Sequence, residues 1–163
     1  MKKLAVVSDT HGEFRLVSEA LSIIQSLDIT TILHCGDVGG DCIVSQFALF
    51  DAYFVRGNTD VEESLKREVE SAGLTYCYTF GAIKVEDVQI GFTHGHSSDL
   101  FKKESDSGRW NLICYGHTHQ QDYSILPNGT LLLNPGAFAR VARPSFAVVT
   151  VEGEQIRVEH FPF

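Results

Sequence analysis

The chain has 163 residues, 44% hydrophobic and 21% charged, with 13 Lys and Arg set against 21 Asp and Glu for a formal charge of −8. That length predicts a single domain over residues 1–163 that buries enough surface to fold without disulfide staples, and the composition excludes wholesale disorder. The negative balance argues against extended nucleic acid and against an anionic membrane surface, since both repel such a chain at long range. No apolar run reaches the length of a membrane span, and Met1-Lys2-Lys3-Leu4 leads straight into a strand-like segment, so a cytoplasmic location is expected. Cys35, Cys42, Cys77 and Cys114 contain no C-x-x-C pair and read as buried, reduced thiols.

In chain order, Lys3 to Ser8 is a short apolar run that reads as a buried strand. Leu16, Val17, Ala20, Leu21, Ile24 and Leu27 then recur at helical steps, with Arg15, Ser18, Glu19, Ser22 and Gln25 on the other face. Thr31 to Cys35 reads as a second strand, Ile43 to Ala48 as a short helix and Ala52 to Val55 as a third strand. Strands alternating with helices imply parallel pairing. Val61 to Ala72 carries Glu62–Lys66 and Glu63–Arg67 at i,i+4 spacing and predicts a surface helix. Hairpin patterns follow: Ile83–Val85 with Val88–Phe92, Tyr123–Leu126 with Thr130–Leu133, and Phe146–Val151 with Gln155–His160. Asn111 to Tyr115 is a further buried strand. The fold class expected is α/β, with two mixed β-sheets packed face to face as a sandwich and helices outside.

The metal-capable side chains fall at strand ends. Asp9 and His11 follow the first strand, Asp37 the second and Asn58 the third; His94 and His96 follow Val88–Phe92, and His117 and His119 follow Asn111–Tyr115. In sheets with parallel strands, sites form beyond the carboxyl ends. Taken singly, each group has a plainer role: a surface histidine, an Asx-turn at Asn58, or a helix cap at Asp9 or Asp60. Five such strand ends together favour convergence on a metal site.

The ordered set Asp9-Thr10-His11, Gly36-Asp37, Gly57-Asn58, His94-Gly95-His96 and Gly116-His117-Thr118-His119 resembles the signature of the calcineurin-like metallophosphoesterases. Within them the chain resembles the small single-domain YfcE-like phosphodiesterases. The resemblance spans Asp9 to Asn134-Pro135-Gly136 and implies a β-sandwich with a dinuclear centre at its edge. It implies Asp9, His11 and His119 on one ion, Asn58, His94 and His117 on the other, and Asp37 between them. His94 and His96 compete for one ligand role; His94 is nearer the strand end, which leaves His96 to substrate contact. Mixed carboxylate and imidazole donors suit Mn²⁺, Fe²⁺, Ni²⁺ or Zn²⁺. Two such ions hold a bridging hydroxide that attacks a phosphodiester in line with its leaving oxygen.

Family members often carry a His after the Gly-Asn pair to assist the leaving group, whereas here the run is Gly57-Asn58-Thr59-Asp60. No catalytic acid is assigned; His96 and His34 are the candidates. Asp60 reads as a cap for the following helix. Ser97 to Arg109 reads as a polar loop beside the pocket, with Lys102 and Lys103 solvated. The segment Asn134–Arg140 resembles the family's Asn-Pro-Gly-Ser loop and is expected to offer backbone N–H groups to phosphate, joined by Arg140 or Arg143. A rival reading is a non-catalytic, metal-binding interaction scaffold of the same fold, as in the retromer scaffold subunit; the filled ligand set favours the enzyme. A small phosphodiester is the expected partner, and self-association into a homo-oligomer stays open.

Overall fold

A computed structural model describes residues Met1–Phe163. The first strand, β1 (Lys2–Val7), shows why the run is unbroken in apolar residues: both of its faces are buried. Leu4 and Val6 join a core cluster between the two sheets, while Ala5 and Val7 join a second cluster beneath the helices. Period-two alternation therefore appears as a choice between two cores rather than between core and water.

The first sheet has six strands in the order β11 (Gln155–Pro162), β10 (Ser145–Glu152), β1, β2 (Thr31–His34), β3 (Asp51–Phe54) and β4 (Thr75–Tyr76). β1 to β4 run parallel, and β10 and β11 are antiparallel additions. The crossovers are α1 (Phe14–Ser26), α2 (Asp41–Val44) with a 3₁₀ turn at Ser45–Phe47, and α3 (Glu62–Ser71). α1 buries Val17, Ala20, Leu21 and Ile24, and α3 buries Leu65 and Val69, all in the cluster with Val7, Ile32 and Phe54. Each such Val, Leu or Ile side chain contributes roughly 1.5–3 kcal/mol on burial.

The second sheet has five strands in the order β5 (Phe80–Val85), β6 (Val88–Thr93), β7 (Leu112–Cys114), β9 (Leu131–Pro135) and β8 (Gln121–Ile125), with β6, β7 and β9 parallel. The expected sandwich of two mixed sheets with outer helices is the fold observed. Two local expectations are corrected. Ser97–Arg109 is not a loop: it contains α4 (Ser98–Asp106), whose N-cap Ser97 accepts the Leu100 N–H. Its apolar stripe is short because Glu104 takes a buried place, accepting from Arg109 and Trp110. Among the cysteines, all unpaired, Cys35 and Cys114 are buried, but Cys42 is exposed and Cys77 half-buried. No helix is long and apolar enough to cross a membrane.

The register sets up the site. Val7 pairs with His34 and His34 with Phe54, while Phe92 pairs with Cys114 and Cys114 with Leu133. The parallel strands of each sheet thus end level, and the residues that follow land along one edge of the sandwich.

Candidate metal centre

The loops beyond those level ends are tied to one another before any side chain is considered. The Asp9 N–H donates to the Gly36 carbonyl and the His11 N–H to the Asp37 carbonyl; the Gly116 N–H donates to the His94 carbonyl. Phe138 and Ala139 both donate N–H to the Asp9 carbonyl. Those N–H groups are consequently spent on Asp9, and the Gly136 N–H on Asn134 Oδ1, so these three amides of the Asn134–Arg140 segment brace the site and are not open to phosphate. Asn134 itself bridges to the Gly116 carbonyl and Thr118 Oγ1.

Backbone strain is concentrated here. Nine residues other than glycine have left-handed φ, and five of them are Asp9, His11, Asp37, His117 and His119. Such conformations cost energy and persist where the surroundings over-determine them. Two glycines make room for the carboxylates. A Cβ on Gly57 would collide with Asp37 Oδ1, and one on Gly116 would collide with Ser8 Oγ and stand 2.6 Å from Asp9 Oδ2.

The donor atoms converge in two groups, Asp9–His11–His119 and Asp9–Asp37–His94, with the atoms of each within 4.8 Å of one another. His119 Nε2 lies 3.1 Å from Asp9 Oδ1, and His11 Nε2 lies 3.3 Å from His119 Nε2. Asp37 Oδ2 is 3.5 Å from His11 Nε2 and 3.4 Å from His94 Nε2, and His94 Nε2 is 3.0 Å from Asn58 Oδ1. Two donors about 2.1 Å from one ion stand about 3.0–3.4 Å apart at octahedral or tetrahedral angles, so these spacings fit shared cations. Asp9 supplies the sharpest sign. Its Oδ2 accepts from Ser8 Oγ and the His117 N–H, whereas its Oδ1 is buried and accepts no hydrogen bond. Such an atom is expensive unless an ion answers it.

The imidazoles are oriented by their far nitrogens. His94, wholly buried, places Nδ1 2.8 Å from the Cys35 carbonyl, which can only accept; Nδ1 thus carries a proton and Nε2 is turned to the donor group. Burial opposes the charged form of His94, but hydrogen bonding and charge from Asp37 raise its pKa above the ordinary value. Burial also opposes ionisation of Asp37, yet the contact from His94 and the Thr59 N–H outweigh it, and its carboxyl stays well below the usual range. For His11 burial wins over the charges of Asp37 and Asp9, and its pKa falls.

His94, and not His96, enters the donor groups. His96 stands behind it, ring centroids 5.4 Å apart, with Nδ1 buried and unpaired. His117 is exposed; its ring lies 5.1 Å from that of His94, and its side chain stays outside both close groups. Arg140 is exposed and its charge bears on His11. Arg143 makes no hydrogen bond or ion pair.

Two residues take roles other than those expected. His34 is fully buried, stacked on Phe54 at 5.1 Å and edge-on to Phe47 at 5.8 Å. The Gly36 N–H donates to its Nδ1, which leaves Nε2 to donate to Thr10 Oγ1. Burial holds its pKa down to about 3. It is a structural neutral imidazole and supplies no catalytic acid. Asp60 does not cap α3, whose N-cap is Val61. Its carboxylate instead accepts the N–H groups of Asp37, Val38 and Gly57 at 2.8–2.9 Å, binding the second and third strand-end loops together. The sequence signal was present, an acceptor beside amides without partners, but it was referred to the wrong amides.

The match of residues 1–154 to the calcineurin-like phosphoesterase superfamily domain decides the family. The chain belongs to the calcineurin-like phosphoesterases. It falls in their small metallophosphoesterase branch, and with membership comes the enzyme class, a metal-dependent phosphoesterase. Phosphodiesterase MJ0936 of Methanocaldococcus jannaschii is 27% identical over 138 residues, 82% of each chain. An archaeal phosphodiesterase structure superposes with a TM-score of 0.85 at 23% identity, over 98% of this chain and 99% of that one. Vps29 of Entamoeba histolytica, complexed with Zn²⁺, superposes with a TM-score of 0.71 at 18% identity over 98% of each chain. This phosphoesterase is thus similar in fold to proteins described as a hydrolase and to Vps29 alike.

Proposed function

We propose that this phosphoesterase hydrolyses small phosphodiesters at a dinuclear centre, with residues 1–163 forming one catalytic domain that works in the cytoplasm. The observation that carries the reading is Asp37 Oδ2, which lies 3.5 Å and 3.4 Å from an imidazole of each of two donor sets. Asp9, His11 and His119 would hold one ion, Asn58, His94 and His117 the other, and Asp37 both. Mixed oxygen and imidazole donors favour Mn²⁺, Fe²⁺, Ni²⁺ or Zn²⁺. Bound divalent ions supply Lewis acidity, which activates water and neutralises charge on phosphoryl oxygens.

The chain's own groups do the rest. Ser8 and the His117 N–H hold Asp9 so that Oδ1 faces the centre. Asp60 fixes the loop that carries Asp37. His96, whose ring lies 5.4 Å from that of His94, and Arg140, whose charge bears on His11, would meet substrate. Thr59, in the position of the family's assisting His, donates its N–H to Asp37 Oδ1 and is a poor proton donor to an alkoxide. Esters with an activated aryl leaving group are therefore favoured over alkyl ones.

The test is to strip metal and measure hydrolysis of an aryl phosphodiester against an aryl phosphomonoester after Mn²⁺, Ni²⁺ or Zn²⁺ is added back. Metal-dependent turnover that favours the diester is expected. No turnover of either ester would sink the reading and leave the second one, a metal-binding scaffold without catalysis, to which the likeness to Vps29 lends support.

A further inference from the structure

We infer that the outer edge of β11 is the surface by which two copies of this chain pair. The strands run antiparallel about a two-fold axis at Val158, so that two six-stranded sheets become one continuous sheet.

β11 stands at the end of its sheet with β10 as its one neighbour. It runs for 8 residues in unbroken register, from Glu152↔Gln155 to Ser145↔Pro162, and Gln155 to Phe161 holds no bulge, proline or lysine. Those are the devices by which natural proteins blunt an edge, so this one is left open to a further strand. The Phe163 N–H donates to the Pro144 carbonyl, which sets the phase of the ladder. Alternate residues of an antiparallel strand share that direction, so Gln155, Arg157, Glu159 and Phe161 turn their N–H and C=O groups to β10. Ile156, Val158 and His160 turn theirs away from the sheet.

The side chains select the partner. Ile156 and Val158 are partly buried against the core between the sheets. Arg157 and Glu159 project from the other face, exposed, and neither has an ion-pair partner within the chain. Charges on an edge ordinarily repel a neighbouring strand, but these are of opposite sign at alternate positions. With the axis at Val158, each Arg157 faces the second copy's Glu159, in the positions where opposed side chains approach most closely. Val158 faces its own mate and Ile156 faces the second copy's His160, and each of these pairs exchanges both N–H···O=C bonds. An axis at Arg157 or at Glu159 brings like charges face to face, and one at Ile156 or His160 leaves the charges unanswered. The strand is thus complementary to its own reversed copy in one register, which makes a second copy of the chain the occupant.

Sedimentation of the full chain tests this. The wild type should show a reversible monomer–dimer equilibrium at about 1–100 μM. Arg157→Glu and Glu159→Arg should each raise the dimer Kd about tenfold or more, since either sets like charges on both sides of the axis. Mixed in equal amounts, the two variants should associate as the wild type does, because every carboxylate then faces a guanidinium. A folding defect cannot produce that rescue. Amide exchange at Ile156, Val158 and His160 should slow as the wild-type concentration rises and stay fast in either variant alone. A wild type that remains monomeric over that range would overturn the pairing and leave the edge to a strand of another protein. A dimer that persists in both variants, or one that mixing does not restore, would overturn it equally.

Discussion

The carboxylate of Asp60 receives the backbone N–H of Asp37 at 2.9 Å, although the two residues belong to loops that follow different strands. Through the same carboxylate the N–H groups of Val38 and Gly57 are gathered as well, so the position of the central acid is set by a residue outside both donor groups. Orientation of a ligand by groups behind it is a general feature of metal sites.

Asp60→Ala leaves three amides without their acceptor. We expect metal affinity to fall about 10–100-fold and stability to fall by about 1–3 kcal/mol, measured by calorimetric Mn²⁺ titration and by urea unfolding. Asp60→Asn, which keeps one acceptor oxygen, should fall between. Wild-type affinity in Asp60→Ala would remove Asp60 from the support of the centre.

Asp9 gives a contrast between the metal-free and metal-loaded protein. Its buried Oδ1 accepts no hydrogen bond. Asp9→Asn removes the charge while keeping an oxygen for Ser8 and the His117 N–H, so the chelated variant should melt no lower than the chelated wild type. Saturating metal stabilises the wild type by about 2.7 kcal/mol at 100 times Kd, and that gain should vanish in the variant. A chelated variant that melts several degrees lower would show that Asp9 is anchored by contacts other than a cation.

His34 predicts a pH dependence set chiefly by its burial, with smaller contributions from the charges of His94, Asp37 and His11. Its folded pKa of about 3 lies below the unfolded value of 6.5, so between these limits only the unfolded chain takes up the proton. The contribution is complete above pH 6.5 and declines as pH falls, at about 1.4 kcal/mol per unit, or about 2 kcal/mol between pH 6.5 and 5. Urea unfolding of chelated protein across that range should show a shallower slope in His34→Gln. Equal slopes would assign the acid sensitivity to other groups.

His94 and His96 should separate cleanly. His94→Ala removes a donor 3.4 Å from Asp37 Oδ2 and should abolish metal-dependent turnover together with tight binding of the second ion. His96→Ala should keep metal stoichiometry and raise KM. Loss of an ion in His96→Ala, with both retained in His94→Ala, would reverse the two roles.

The strand-end groups were legible because each apolar run stops abruptly at a glycine and a ligand-type residue, a pattern that survives without knowledge of the contacts. β4, of two residues, has no periodicity to read. α4 escaped because its inward face includes Glu104, a charged residue buried only by virtue of Arg109 and Trp110. The use of the Phe138 and Ala139 N–H groups was hidden for a different reason: whether an amide is free depends on which distant carbonyl reaches it, here that of Asp9. For Asp60 the chemistry was legible and the partner was not.

The level strand ends of the two sheets have one more consequence. Asp9, His11, Asp37 and Asn58 hang from the six-stranded sheet, and His94, His117 and His119 from the five-stranded one. An ion held by His119 together with Asp9 and His11, or by His94 together with Asp37, is a clasp across the seam of the sandwich. In the proposed centre such a clasp would add to the contacts that already cross the seam, His117 N–H to Asp9 Oδ2 and His94 Nδ1 to the Cys35 carbonyl, so chelation should quicken amide exchange first in the loops at that rim.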